Sequence, residues 1–267
     1  MTEKNREERS IPEFLYKYFK LDAKNKKKIE RIFTHNEIYF ASPMRFNDPF
    51  DCRVHASFDA TDDDWEEYLN GVLKERHPEW EYHERQTFVD QLIRGGWRED
   101  PGTKQKGVND VQEAVNKIGV FCLTEVRDDI LMWSHYADGH KGFCLQFNIN
   151  PKLYPFGEML FQVQYTSSYP QITITKNHKD QTRKVLLTKS TSWEYEKEWR
   201  IFDPDDSLGI RVFPADMLTG VIFGCEMPHE NRQLIREWAK GRDIPLKFYQ
   251  TTKKEKEFGL EIIKAIS

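Results

Sequence analysis

Apolar residues along this chain change their spacing twice, and that change limits the folds open to it. They alternate as strands do up to residue 41, around one helix, and recur at helical spacing from 61 to 118. From 119 onward the alternation returns. A chain of this order joins early and late strands in one sheet and carries a helical block between them.

Phe14 to Phe19 reads as a strand with Tyr16 and Tyr18 on one face and Lys17 on the other. Asp22 caps a helix with Ile29, Ile32 and Phe33 on its apolar side, and Asn36 suits its C-terminal end. Ile38 to Ala41 is a second strand. In the block 61–118, Trp65, Tyr68, Leu69, Val72 and Leu73 mark one helix, and Trp80, Val89, Leu92 and Ile93 a second. Val108, Val111, Val115 and Ile118 mark a third. Strands are expected at 119–125, 143–149 and 161–165, and an extended run at 196–202 with Glu196, Glu198 and Arg200 on one face. Further strands are expected at 209–213, 220–225, 246–250 and 259–263. Helices are expected at 128–138, 179–190 and 229–241. The class is α+β: a mixed, mostly antiparallel sheet, with a split in it left open, flanking helices and a helical insertion. One domain spans 1–267, with 61–118 as an insertion or lid.

Aromatic residues make up 13% of the chain, which is ample for a core, while charged residues make up 31%. A net charge of −4 argues against a protein held mainly by nucleic-acid phosphates. Lys24, Lys26, Lys27, Lys28 and Arg31 fall on one helix, where a solvated face is the plainer reading than a basic patch. No apolar run approaches the ~20 residues that span a bilayer. Residues 1–10 lack the apolar core of a signal peptide and read as a short flexible lead. Cys52, Cys122, Cys144 and Cys225 lie far apart and are expected as free thiols of a cytoplasmic protein, with no metal site.

Three dense islands stand out. Phe46-Asn47-Asp48-Pro49-Phe50-Asp51 is first of all a turn, with Asn and Asp bonding nearby amides and Phe46 and Phe50 burying its ends. The second island holds Trp133, Ser134, His135, Tyr136, Ala137 and Asp138 and leads to His140-Lys141-Gly142. His135 beside Asp138 suits acid–base work, or else satisfies a buried carbonyl. Gly139 to Gly142 suits a phosphate held on backbone amides and Lys141, a weak signal by itself. The third island, Lys189 to Arg200, sets Lys189, Glu196, Glu198 and Arg200 among Trp193, Tyr195 and Trp199. Glu198 and Arg200 are a surface ion pair worth less than ~1 kcal/mol, or a partly buried functional group. The three islands are expected to converge in one cleft.

As a set, the islands resemble a widespread bacterial family catalogued as domain-of-unknown-function family 2971. The resemblance rests on Tyr16-Lys17-Tyr18, Phe46 to Asp51, Trp133 to Ala137 with His140-Lys141-Gly142, and Lys189, Trp193, Glu196, Glu198 and Arg200, from about residue 14 to 225. It brings no settled activity. A more distant fold-level analogy is to ADP-ribosyltransferase-like proteins, which bind NAD in a split-sheet cleft and use a late glutamate. Ser190-Thr191-Ser192 is similar to a segment of some of those enzymes, but it abuts the Glu-x-Glu and is discounted.

That analogy implies glycosyl-type transfer from NAD, as co-substrate, to a protein or nucleic-acid acceptor, in phage defence or toxicity. Glu198, His135 and Glu196 are then the catalytic candidates. Tyr16, Lys17, Tyr18, Asn47, Asp48, Trp133, Tyr136, His140, Lys189 and Arg200 are the candidates for holding a nucleotide. Two alternatives stay open: a non-catalytic ligand-sensing or adaptor domain of a defence system, and a metal-independent phosphodiester-cleaving enzyme using His135, His140 and Lys189.

Overall fold

The computed structural model describes residues 11–149, 156, 159–176, 178–203 and 208–265; the lead at 1–10 lies outside them. Strand β1 (Leu15–Phe19) leads to helix α1 (Lys26–His35) and strand β2 (Glu37–Phe40). Asp22 accepts from the amides of Lys24 and Asn25 in the turn that opens α1, and Asn36 closes the helix in the left-handed region at φ 54°. Strand β3 (His55–Ser57) precedes the helical block α2 (Asp62–Arg76), α3 (Tyr82–Arg94) and α4 (Pro101–Lys117). Thr61 and Asp64 form a capping box at the start of α2, and Asp100 caps α4 ahead of Pro101.

Strand β4 (Phe121–Thr124), helix α5 (Ile130–Tyr136) and strand β5 (Phe143–Phe147) follow. Next come β6 (Leu160–Gln162), β7 (Gln164–Thr166), β8 (Gln171–Thr173), α6 (His178–Leu186), β9 (Thr188–Ser190) and β10 (Glu198–Ile201). The chain finishes with β11 (Gly209–Val212), β12 (Leu218–Phe223), α7 (His229–Ala239), β13 (Lys247–Lys253) and β14 (Leu260–Lys264).

Eight strands form one sheet in the order β14-β13-β12-β5-β1-β4-β10-β6. All its pairs are antiparallel except β12 with β13, which α7 joins as a crossover. Three small pairs lie outside it: β2 with β11, β3 with β8, and β7 with β9. The class is α+β with a mostly antiparallel mixed sheet. Leu15, Leu123, Leu145, Trp199 and Ile201 face Ile32 and Phe33 of α1 and Ile235 of α7, making the main core. Each such fully buried side chain contributes on the order of 1.5–3 kcal/mol. On the opposite face Tyr16, Tyr18, Cys144 and Ile222 pack under Met132 and Trp133 of α5 and under Ala137, which follows it. Among the described residues, no helix is long and apolar enough to cross a membrane.

Three expectations of secondary structure need correction. The helix expected to reach Ser190 stops at Leu186, and Thr188–Ser190 is a strand paired with β7. The run expected from Phe161 to Tyr165 is split at Val163: β6 belongs to the large sheet and β7 to a small one. The segment 196–202 is not extended throughout. Thr191–Glu196 winds as a 3-10 turn capped by Ser190, Lys197 takes φ 43°, and the strand begins at Glu198. Tertiary pairing, which period alone does not carry, decides each of these.

Candidate functional site

The turn of the first island is built by its own side chains. Asp48 Oδ1 accepts the amide of Phe50 at 2.9 Å, and Cys52 takes φ 55°. The next segment is clamped by α4: Gln112 accepts from the Val54 amide at 3.0 Å and donates to the Cys52 carbonyl at 3.1 Å. Asp51 is thereby aimed into the interior. Its carboxylate receives Arg200 Nη2 at 2.6 Å and Nη1 at 3.2 Å, a two-pronged pairing that suits a guanidinium.

Strand period puts Glu198 and Arg200 on one face of β10. Arg200 Nε and Nη2 reach the two oxygens of Glu198 at 2.8 and 3.0 Å. Arg200 is wholly buried, and its Nη1 also donates to the Leu186 carbonyl at 2.7 Å. Lys189 on β9 donates to Glu198 at 2.9 Å and to Glu196 at 2.5 Å, and its Nζ lies 3.9 Å from Asp51. The second island enters through Tyr136, whose hydroxyl donates to Glu196 Oε1 at 2.6 Å and receives Asn47 Nδ2 at 3.2 Å. All three islands therefore meet in one hydrogen-bonded cluster.

Three carboxylates (Asp51, Glu196, Glu198) face two cations (Lys189, Arg200), so one negative charge is in excess when all three carboxylates are ionised. Burial opposes the charge on Glu198, but Arg200 and Lys189 outweigh it and hold this carboxyl well below the usual range. Burial also opposes the charge on Lys189, and Glu198 and Glu196 outweigh it, so the ammonium is held charged. At Glu196 burial wins: its pKa is raised despite Lys189, which it shares with Glu198. Burial, then Glu196, pushes the Tyr136 hydroxyl up.

A cleft of about 260 Å³ opens beside the cluster, walled by Asp48, Phe50, Ser168, Tyr169, Lys189 and Trp193. Lys189 is the member of the cluster that faces it, with Nζ 5.2 Å from the Trp193 ring centre. Phe50, expected to bury one end of the turn, is instead 65% exposed, and Tyr169 is 39% exposed with its ring stacked on His55 at 3.9 Å.

The remaining sequence-derived candidates lie elsewhere. Tyr16 and Tyr18 form the floor under Trp133 of α5: Tyr18 donates to the Val126 carbonyl at 3.0 Å, and Trp133 to that of Arg127 at 2.9 Å. Lys17 sits on the opposite face of the sheet, donating to the Cys122 carbonyl at 2.7 Å over the Phe121 ring. His135 is exposed, its ring 6.1 Å from that of Trp193. His140 lines a larger cleft of about 610 Å³ with Cys225, Glu226, Lys253 and Phe258. The amides of Gly139, His140, Lys141 and Gly142 all bond carbonyls of 133–138, leaving none to wrap a phosphate. Gly142 answers a packing need, since a Cβ there would lie 2.1 Å from the Phe19 carbonyl oxygen.

Two cluster residues escaped the candidate set. Asp51 was visible beside Asp48, and a buried arginine requires carboxylates on more than one side. Tyr165, whose hydroxyl accepts the Glu198 amide at 2.8 Å, gave no sequence signal. Among the described residues, no group of three or more His, Cys, Asp or Glu side chains is placed to hold a metal ion.

A family model described as a protein of unknown function (DUF2971) matches residues 132–201, and over that segment the resemblance to the family holds. The match takes in the second and third islands. No curated protein and no solved structure matches the chain.

Proposed function

We propose that the cleft beside Lys189 binds a nucleotide, and that the protein performs glycosyl-type transfer from NAD to a protein or nucleic-acid acceptor. The observation that carries this reading is the excess negative charge of a rigid, buried cluster behind an aromatic-walled cleft. Cleaving the bond between ribose C1′ and the nicotinamide nitrogen leaves its electron pair on neutral nicotinamide and positive character on the ribose. Fixed carboxylates, with no solvent to reorganise, favour that charge. Phe50, Tyr169 and Trp193 offer faces for a planar ring, and Thr166, Ser167, Ser190 and Ser192 offer hydroxyls for a ribose. Asp48 brings a carboxylate to the cleft wall itself.

The test is nicotinamide release from NAD by purified protein, with and without cell lysate as acceptor. Release that Asp48→Asn lowers about tenfold or more supports the reading, since Asn retains the turn-forming acceptor and drops the charge. Neither release nor saturable NAD binding overturns it. Saturable binding without release selects the ligand-sensing alternative, which the double grip of Lys189 on Glu196 and Glu198 favours by leaving neither carboxylate bare. The phosphodiester alternative needs His140 and Lys189 at one point, yet they line different clefts.

A further inference from the structure

We propose that Tyr136 is the proton port of the buried cluster, the hydrogen-bonded route by which Glu196 exchanges a proton with the solvent side of the protein. For the use of that proton in catalysis, the inference rests on the transferase reading above. The exchange itself does not depend on that reading.

The members of the cluster differ in freedom. Glu198 has both oxygens held, by Arg200 Nε at 2.8 Å and Nη2 at 3.0 Å and by Lys189 at 2.9 Å. A proton placed there would deprive Arg200, wholly buried, of the charge of one of its two carboxylate partners. Asp51 is tied to the same guanidinium by two bonds. Glu196 alone divides its oxygens between one ammonium and one neutral hydroxyl. The cluster carries one carboxylate more than it has cations, so a single proton brings it to neutrality. Glu196 takes that proton at the least loss of ion pairing.

The route outward follows from the hydroxyl's partners. Glu196 is 3% exposed and has no surface of its own to titrate through. Tyr136 is half-buried and its oxygen is met from the outer side by Asn47, which is exposed. In one transfer the Tyr136 O–H bond breaks as the Glu196 O–H bond forms. The bond from a solvent water to its own hydrogen breaks as a new Tyr136 O–H forms. Tyr136 ends as it began, and Glu196 has gained the water's proton. Burial and the neighbouring Glu196 disfavour a free phenolate, so the hydroxyl relays and does not store charge. The charged and titratable groups facing Glu196 are Lys189 of β9, Glu198 of β10, Tyr136 of α5, Tyr165 of β7 and the adjacent Tyr195. Arg200 and Asp51 stand behind Lys189.

The test is infrared titration of protonated carboxyl groups in wild type, Glu196→Gln and Tyr136→Phe, with folding checked by circular dichroism. Wild type should show one carboxyl titrating above the ordinary glutamate range, and Glu196→Gln should lack it. Tyr136→Phe should move that midpoint upward, because a hydrogen bond to the charged form is lost. Asn47→Ala, at an exposed position, serves as the second variant should Tyr136→Phe not fold, with a smaller upward shift. A band that survives Glu196→Gln, or a midpoint unmoved by either port variant, overturns the proposal. Where wild type releases nicotinamide, both Glu196→Gln and Tyr136→Phe should lose about a hundredfold of turnover together with the acid limb of the pH profile. An acid limb that persists in Tyr136→Phe counts against the port. Absent release in wild type overturns the transferase reading, and the titration still decides the port.

Discussion

Asp51 and Arg200, 149 residues apart in sequence, meet through hydrogen bonds of 2.6 and 3.2 Å in the protein interior. The pair fastens the turn of the first island to the strand of the third. Because Arg200 has no exposed surface, its charge depends on Asp51 together with Glu198 and the Leu186 carbonyl. Asp51→Ala is expected to cost about 3–5 kcal/mol in urea unfolding, as removal of one partner of a buried pair does. The double variant Asp51→Ala with Arg200→Met should recover part of that loss. Additive losses in the double variant would show that the two do not act as a pair.

Glu198→Gln is expected to act on folding as well as on any chemistry. It weakens the pairing with both Arg200 and Lys189, so a lower midpoint in chemical denaturation should accompany it. Charge in the cleft is therefore better tested at Asp48, and an unchanged midpoint for Glu198→Gln would contradict the saturation described.

The two glutamates give stability opposite dependences on pH. Glu198 has a depressed folded pKa, so its contribution is present above the unfolded value of roughly 4.3 and is lost as pH falls toward the folded one. Glu196 has a raised folded pKa, so its contribution is full below roughly pH 4.3 and is lost as pH rises through the folded value. Melting temperatures of Glu196→Gln against wild type should therefore favour the variant increasingly as pH rises from about 4 toward neutrality. A difference that is constant across this range would refute the assignment.

Gln112 holds the backbone on both sides of Arg53 with one amide group. Gln112→Ala leaves the Val54 amide without that partner and should cost about 1–3 kcal/mol. Amide hydrogen exchange should rise most across residues 46–54, which α4 steadies. Uniform acceleration over the whole chain would mean the clamp is not local.

Trp193 is the aromatic wall nearest Lys189. Trp193→Ala should weaken nucleotide binding by about tenfold, the scale of one ring-stacking contact. Binding that is unaltered in a calorimetric titration would move the ligand out of this cleft.

The sequence was most legible where a period ran uninterrupted. The spacing of Trp65, Leu69 and Leu73 places them on the buried side of α2, and the alternation of Phe143, Leu145 and Phe147 marks β5. It was least legible where one segment serves two sheets. Val163 separates β6 from β7 by bonding its amide to the Glu198 carbonyl, and a pairing partner 35 residues away leaves no local trace. The site divides in the same way. Lys189, Glu196, Glu198 and Arg200 stood out because so many charges among aromatics demand pairing. Asp51 was overshadowed by Asp48, whose turn chemistry is the stronger local signal, while Lys17 drew attention by its neighbours in sequence and faces the other side of the sheet.

The order of strands around β10 also bears on how the chain reaches its folded state. β10 lies between β4 and β6, and its arginine needs both the 186 carbonyl and Asp51 before it can leave water. Nothing local can neutralise Arg200 fully, so the cluster closes only after a loop of well over a hundred residues has been drawn together. Loop-closure entropy must be met before such contacts reward it, so the desolvation of five charges is expected to come late in folding. Cluster substitutions should accordingly hasten unfolding far more than they slow refolding. The residues clustered behind the cleft are thus expected to set how long the folded chain persists.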